Sequence, residues 1–148
     1  LPQNVNDSWS GQFSMELLYN SIIDQETPKR FVKDHIYSRK RAAKDLLNTH
    51  CSFEEFCEKY DSTYRKFSYL TSSENIRLVN WNEVYNSYED AVAKKGIYLI
   101  NLRLMGIEHS QKNKFIQFCR SKVEIDWSRD YKAFEKQVNL AVNEFINL

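Results

Sequence analysis

A chain of 148 residues with 42% apolar residues, 14% aromatic residues and a formal net charge of +1 is long enough to bury a core and too hydrophobic to stay disordered. Three Gly and two Pro leave few sites for positive-φ turns or phosphate-cradling loops, which excludes a glycine-rich nucleotide site and favours helices over a sandwich. Cys51, Cys57 and Cys119 lack the paired spacing of a disulfide framework, and no apolar run reaches the ~18 residues of a membrane span, so an intracellular protein of nucleus or cytoplasm is expected.

Residues 1–12, LPQNVNDSWSGQ, read as a polar linker or arm in which Trp9 alone docks. Residues 13–148 read as a single helical domain, and the start at Leu1 rather than Met suggests a piece of a longer protein. Ser14 is placed to cap a helix through Ile23, with Met15, Leu18, Tyr19 and Ile22 on one side, and Asp24–Thr27 form a turn. Thr27-Pro28 pairs an N-cap hydroxyl with proline at the first helical position and predicts a helix over 28–48. Ser52 and Glu55 complete a capping-box pattern, and Phe53, Phe56, Cys57, Tyr60, Tyr64 and Phe67 recur at helical spacing over 52–70. The short connection between them predicts an antiparallel helix hairpin.

Residues 71–75 read as a loop, and Asn80 with Glu83 opens a helix at Trp81. Ser110 or Gln111 opens a further helix, and Asp126 or Ser128 the last, with Tyr131, Phe134, Val138, Ala141, Val142 and Phe145 on its apolar face. The apolar run at 94–109, KKGIYLINLRLMGIEH, fits either a helix continuing from Trp81 or a strand over 97–104. Its β-branched and aromatic content favours the strand, paired with 76–79 or 123–125. The expected fold is therefore mainly α: a bundle of about five to six helices containing the 28–48/52–70 hairpin, with room for a small two- or three-stranded sheet.

Chemistry-bearing motifs are sparse. Gly96-Ile97-Tyr98 resembles the first half of the GIY-YIG nuclease signature, but Met105-Gly106-Ile107 stands where the second half needs a tyrosine, so the resemblance ends at three residues. His50 adjoins Cys51, and neighbours in a turn point apart, so a Cys–His nucleophile would need three-dimensional assembly. No zinc-ligand spacing is present, and no cofactor or metal is expected.

The exception is charge. Residues 28–44, PKRFVKDHIYSRKRAAK, carry seven Lys or Arg against one Asp. On a helix at ~100° per residue, Lys29, Arg30, Lys33, Lys40, Arg41 and Lys44 share roughly a third of the circumference, with Tyr37 among them. Phe31, Val32, His35, Ile36, Ala42, Ala43 and Leu46 take a neighbouring arc suited to the core. The leading expectation is a non-catalytic interaction module that binds another protein through this basic amphipathic helix and nearby aromatics. The alternative partner is nucleic acid, held by the same helix, and a second alternative is a cysteine-dependent enzyme.

Overall fold

A computed structural model describes residues 8–27, 29–37, 44, 48, 52–59 and 65–148. Where a polar arm is expected, the chain forms strand β1 (Trp9–Ser14). The alternation WSGQFS sends Trp9 and Phe13 to one face, both fully buried. Gly11 between them has φ +91°, and a Cβ there would run into the Asn101 side-chain oxygen and Arg103 Cβ, so a bulged central strand requires glycine at this point. Ser14 then caps helix α1 (Met15–Ile23) as expected, accepting from Leu17 N at 2.9 Å. The Asp24 carboxylate shapes the following turn by accepting from the backbone N–H groups of Glu26 and Thr27.

The hairpin reading is corrected at both of its outer ends. Lys29–Phe31 are irregular and Val32–His35 form strand β2. Pro28, Lys40 and Arg41 lie outside the described residues, whereas Lys44 and Asn48 are helical. Ser52 does start helix α2 (Phe53–Lys59), accepting from Glu55 N at 3.1 Å. Phe67–Leu70, expected as the end of that helix, is instead strand β3. It pairs with β2 in antiparallel register from Val32↔Leu70 to His35↔Phe67.

Ile76, expected on a strand, lies in helix α3 (Ser72–Arg77), which Thr71 and Glu74 open with a complete capping box. Short helix α4 (Trp81–Val84) follows, its N-cap Asn80 making no side-chain cap. Helix α5 (Tyr88–Lys94) starts at a Ser87 cap. Gly96, at φ +69°, turns the chain out of it, which ends the continuous-helix reading of the apolar run. Strand β4 covers only Leu99–Asn101 of the expected 97–104, and Leu102 starts helix α6 (Leu102–Met105). Residues 123–125 form a turn, not a strand. A 3₁₀ turn (His109–Gln111) leads into helix α7 (Lys112–Ser121), as expected. Helix α8 (Tyr131–Ile146) is capped by Asp130 rather than Asp126 or Ser128, and it buries the expected Phe134, Val138, Ala141 and Val142.

The four strands form one mixed sheet in the order β2-β3-β1-β4, with β1 and β3 parallel. This is an α/β fold, and it replaces the mainly helical bundle with a small sheet. Trp9, Phe13, Phe67, Tyr69 and Ile100 build the main core with Leu17, Leu18 and Ile22 of α1, Phe115 of α7, and Phe134 and Val138 of α8. A second cluster, Leu70, Leu78, Trp81, Tyr88, Ala91, Val92 and Ile97, is supplied largely by α4 and α5. Strand pairing overrides helical propensity at 32–35 and 67–70 because Lys33 and His35 stand opposite Tyr69 and Phe67, and those two rings are part of the core.

Candidate cationic site

The sheet places Tyr69 at the centre of an aromatic floor. Its ring meets Trp9 at 6.2 Å, Phe13 at 5.6 Å, Phe31 at 5.7 Å and Phe67 at 5.2 Å. Three cations and an imidazole, from four elements, rest on this floor. Lys33 of β2 sets its ammonium 5.1 Å from the Phe67 ring centre. Lys112, the first residue of α7, sets its own 5.1 Å from Phe31 and 5.2 Å from Tyr69. Arg103 of α6 lies 5.3 Å from the Trp9 ring, with Glu108 3.6 Å from its guanidinium. His109 of the 3₁₀ turn stacks on Tyr69, and 2.7 Å separates its Nε2 from the Tyr69 hydroxyl.

The electrostatics of this group are one-sided. Lys112 is only 8% exposed, and its ammonium reaches the Asn113 side-chain oxygen at 3.2 Å but no carboxylate among the described residues. Burial lowers its pKa, and the Lys33 charge lowers it further. His109 is likewise held below the ordinary imidazole value by burial, then by Lys112, Lys33 and Arg103. Burial pushes the Tyr69 hydroxyl up, so it remains a proton donor at neutral pH. A half-buried group of positive charges with polar hydrogens beside it is arranged to receive an anion.

Of the residues expected to form one basic helical stripe, Lys33 belongs to this group. Lys29 is turned to the other end of its segment, where Asp24 holds its ammonium at 2.6 Å; that contact, with the Thr27 backbone, brings the Asp24 carboxyl down to about 2. Arg30 is exposed in the irregular segment, Tyr37 is half-buried, Lys44 is exposed, and Lys40 and Arg41 lie outside the described residues. The strand at 32–35 means that Lys29, Arg30, Lys33 and Tyr37 do not share a helix face. Tyr69, Arg103, His109 and Lys112 escape sequence reasoning. The one local hint is that Lys112 stands at an otherwise apolar-facing position at the start of α7.

The cysteine expectation fares differently by position. Cys119 is fully buried in the main core, and burial pushes its thiol up to about 12, far from thiolate chemistry at neutral pH. Cys57 is half-buried, and His50 and Cys51 lie outside the described residues. Among the described residues no group of three or more His, Cys, Asp or Glu is placed to hold a metal ion.

A second polar group sits on the opposite sheet face. Asp34, 9% exposed, accepts from Asn75 Nδ2 at 2.7 Å through one oxygen, and neither its Oδ2 nor the nearby Tyr88 hydroxyl completes a hydrogen bond among the described residues. Burial raises the Asp34 carboxyl above its usual range, with Tyr88 and Asn75 acting in the opposite sense. A carboxyl raised in the folded state stabilises most when protonated, so this contribution is full below the unfolded value of about 3.9 and is lost as pH rises through the folded value. Asp34→Asn, whose amide can donate where Oδ2 completes no hydrogen bond among the described residues, should be more stable than the wild type at neutral pH by about 1 kcal/mol. The gain should shrink as the pH falls toward 4; urea unfolding at several pH values checks both the sign and the trend.

These features define an α/β protein with a cationic, aromatic-floored site where β2, β3, α6 and α7 meet. Comparison with protein-family models, curated proteins and solved structures gives no match. No helix among the described residues is long and apolar enough to cross a membrane.

Proposed function

We propose that the chain is a non-catalytic intracellular binding module that holds nucleic acid by its phosphate backbone against Lys33 and Lys112, with Arg103 and His109 behind them. The supporting observation is Lys112. A lysine 8% exposed as a residue, its half-buried ammonium next to another lysine and without a carboxylate among the described residues, carries a charge whose desolvation a bound anion would offset. Trp9, Phe67 and Tyr69 are too deeply buried to stack on bases, so backbone contact rather than base contact is the expected mode. The test is anisotropy of labelled DNA and RNA across a salt series. Lys33→Glu, an exposed change on β2, should weaken binding to all sequences alike and flatten the log–log salt slope by about 1. Unchanged affinity and slope in that variant would defeat the proposal.

A protein partner is the second reading, and a different surface supports it. Ile76 in α3, Val79 in the turn after it and Val84 in α4 are large apolar residues 70%, 65% and 75% exposed. Loss of partner capture in an Ile76→Asp, Val84→Asp variant, with Lys33→Glu without effect, would favour this reading over the first.

A further inference from the structure

We infer that occupation of the cationic site by a phosphodiester group takes up one proton, held by His109, and that the Tyr69 hydroxyl turns its hydrogen toward the bound group as this happens. The inference rests on the nucleic-acid reading above and specifies how that site is regulated.

The geometry carries it. Tyr69 Oη and His109 Nε2 are 2.7 Å apart, and one hydrogen lies between them. When Nε2 is unprotonated, it accepts that hydrogen from the Tyr69 hydroxyl. When Nε2 carries a proton, it donates to the same oxygen, and the hydroxyl hydrogen is free to point elsewhere. What lies around the pair is Lys112 over the Tyr69 ring, Lys33 on the strand residue opposite Tyr69, and Arg103 over the Trp9 ring that His109 meets edge-on.

Glu108, directly before His109, is the acidic residue next to the pair, and it is engaged with the Arg103 guanidinium and the Gln111 backbone N–H. Burial first, and then three cations, therefore oppose a charge on His109. A phosphate oxygen pair seated between Lys33 and Lys112 reverses that local field, so the imidazole gains its proton as the anion arrives. The proton comes from a solvent hydronium ion, leaving water, and stays on Nε2 as an N–H, and no bond between heavy atoms is made or broken. The site then offers the anion two ammonium groups and a phenolic hydrogen, backed by an imidazolium.

Linkage fixes the consequence. Affinity should rise as the pH falls, by up to about tenfold per unit between the imidazole values of the free and occupied sites. The test uses the full chain and a labelled oligothymidylate without terminal phosphates, whose diester groups do not titrate near neutrality. Anisotropy is read from pH 5.5 to 8.0 at constant ionic strength, for the wild type and His109→Gln. The wild type should tighten toward low pH. His109→Gln should bind no better than the wild type does at pH 8.0 and show no pH trend.

Because a variant can be impaired in folding, the wild-type imidazole resonances are also followed by NMR with and without oligonucleotide. The His109 signal should titrate at higher pH in the complex. Salt-sensitive binding with no pH trend and an unmoved His109 titration would overturn this inference while leaving the nucleic-acid reading intact. Absence of binding at every pH and at low salt would overturn both.

Discussion

Replacing Lys112 by methionine should raise the stability of the protein and remove most of its affinity for polyanions. The two effects have one cause. The residue is 8% exposed, its ammonium is half-buried beside Lys33 without a carboxylate among the described residues, and its depressed pKa reflects burial first and the Lys33 charge second. Two aromatic rings and the Asn113 side chain recover part of the cost. Methionine has a similar length, keeps contact with Phe31 and Tyr69, and has no charge to desolvate. A gain of about 1–2 kcal/mol is expected from removing the buried charge. For a chain of this length that corresponds to roughly 3–6 °C in the thermal midpoint. Calorimetry and the oligonucleotide titration should be run on the same sample. A variant that loses stability and keeps its affinity would show that the rings and Asn113 hold Lys112 for the fold's own sake.

Trp9→Ala should cost about 3–5 kcal/mol, a large part of the ~5–15 kcal/mol that holds a typical domain together. Trp9 is fully buried on β1, which lies between β3 and β4 in the sheet, and its ring touches both Tyr69 and His109. The same substitution therefore removes core volume and one wall of the cationic site. Leu104→Ala, at a residue 86% exposed, serves as the control and should stay within about 0.5 kcal/mol of the wild type. Urea titrations followed by circular dichroism measure both. A Trp9→Ala midpoint close to that of the control would mean that the first strand contributes little, as a detachable arm would.

Local signals carried a good part of the secondary structure. Ser14 and Ser52 start helices where capping chemistry places them, because a cap is a contact between residues three apart and is written within one turn. The apolar face of α8 was legible for the same reason, since its 3.6-residue period survives any tertiary context. The basic character of residues 28–44 was equally plain, and Lys33 from it does enter the candidate site.

Tertiary pairing decided the rest. Trp9–Ser14, Val32–His35 and Phe67–Leu70 are strands because they stand beside one another, and the partners of β1 lie far along the chain, as at Trp9↔Phe67 and Gln12↔Asn101. A four- to six-residue segment is too short for a periodicity strong enough to reveal such pairing, so helix caps and the helical spacing of neighbouring residues dominate there. The site has the same origin. Tyr69 and His109 are 40 positions apart, and Lys33, Arg103 and Lys112 come from three other elements, so no short window holds the arrangement. By itself the sequence determined that helices begin after Ser14 and Ser52, which face of the last helix is buried and how much positive charge one segment holds. Only the sheet decided that a strand edge, a short turn and a helix start would bring Lys33, Lys112 and His109 onto one aromatic floor, because that meeting depends on long-range strand order rather than on local preference.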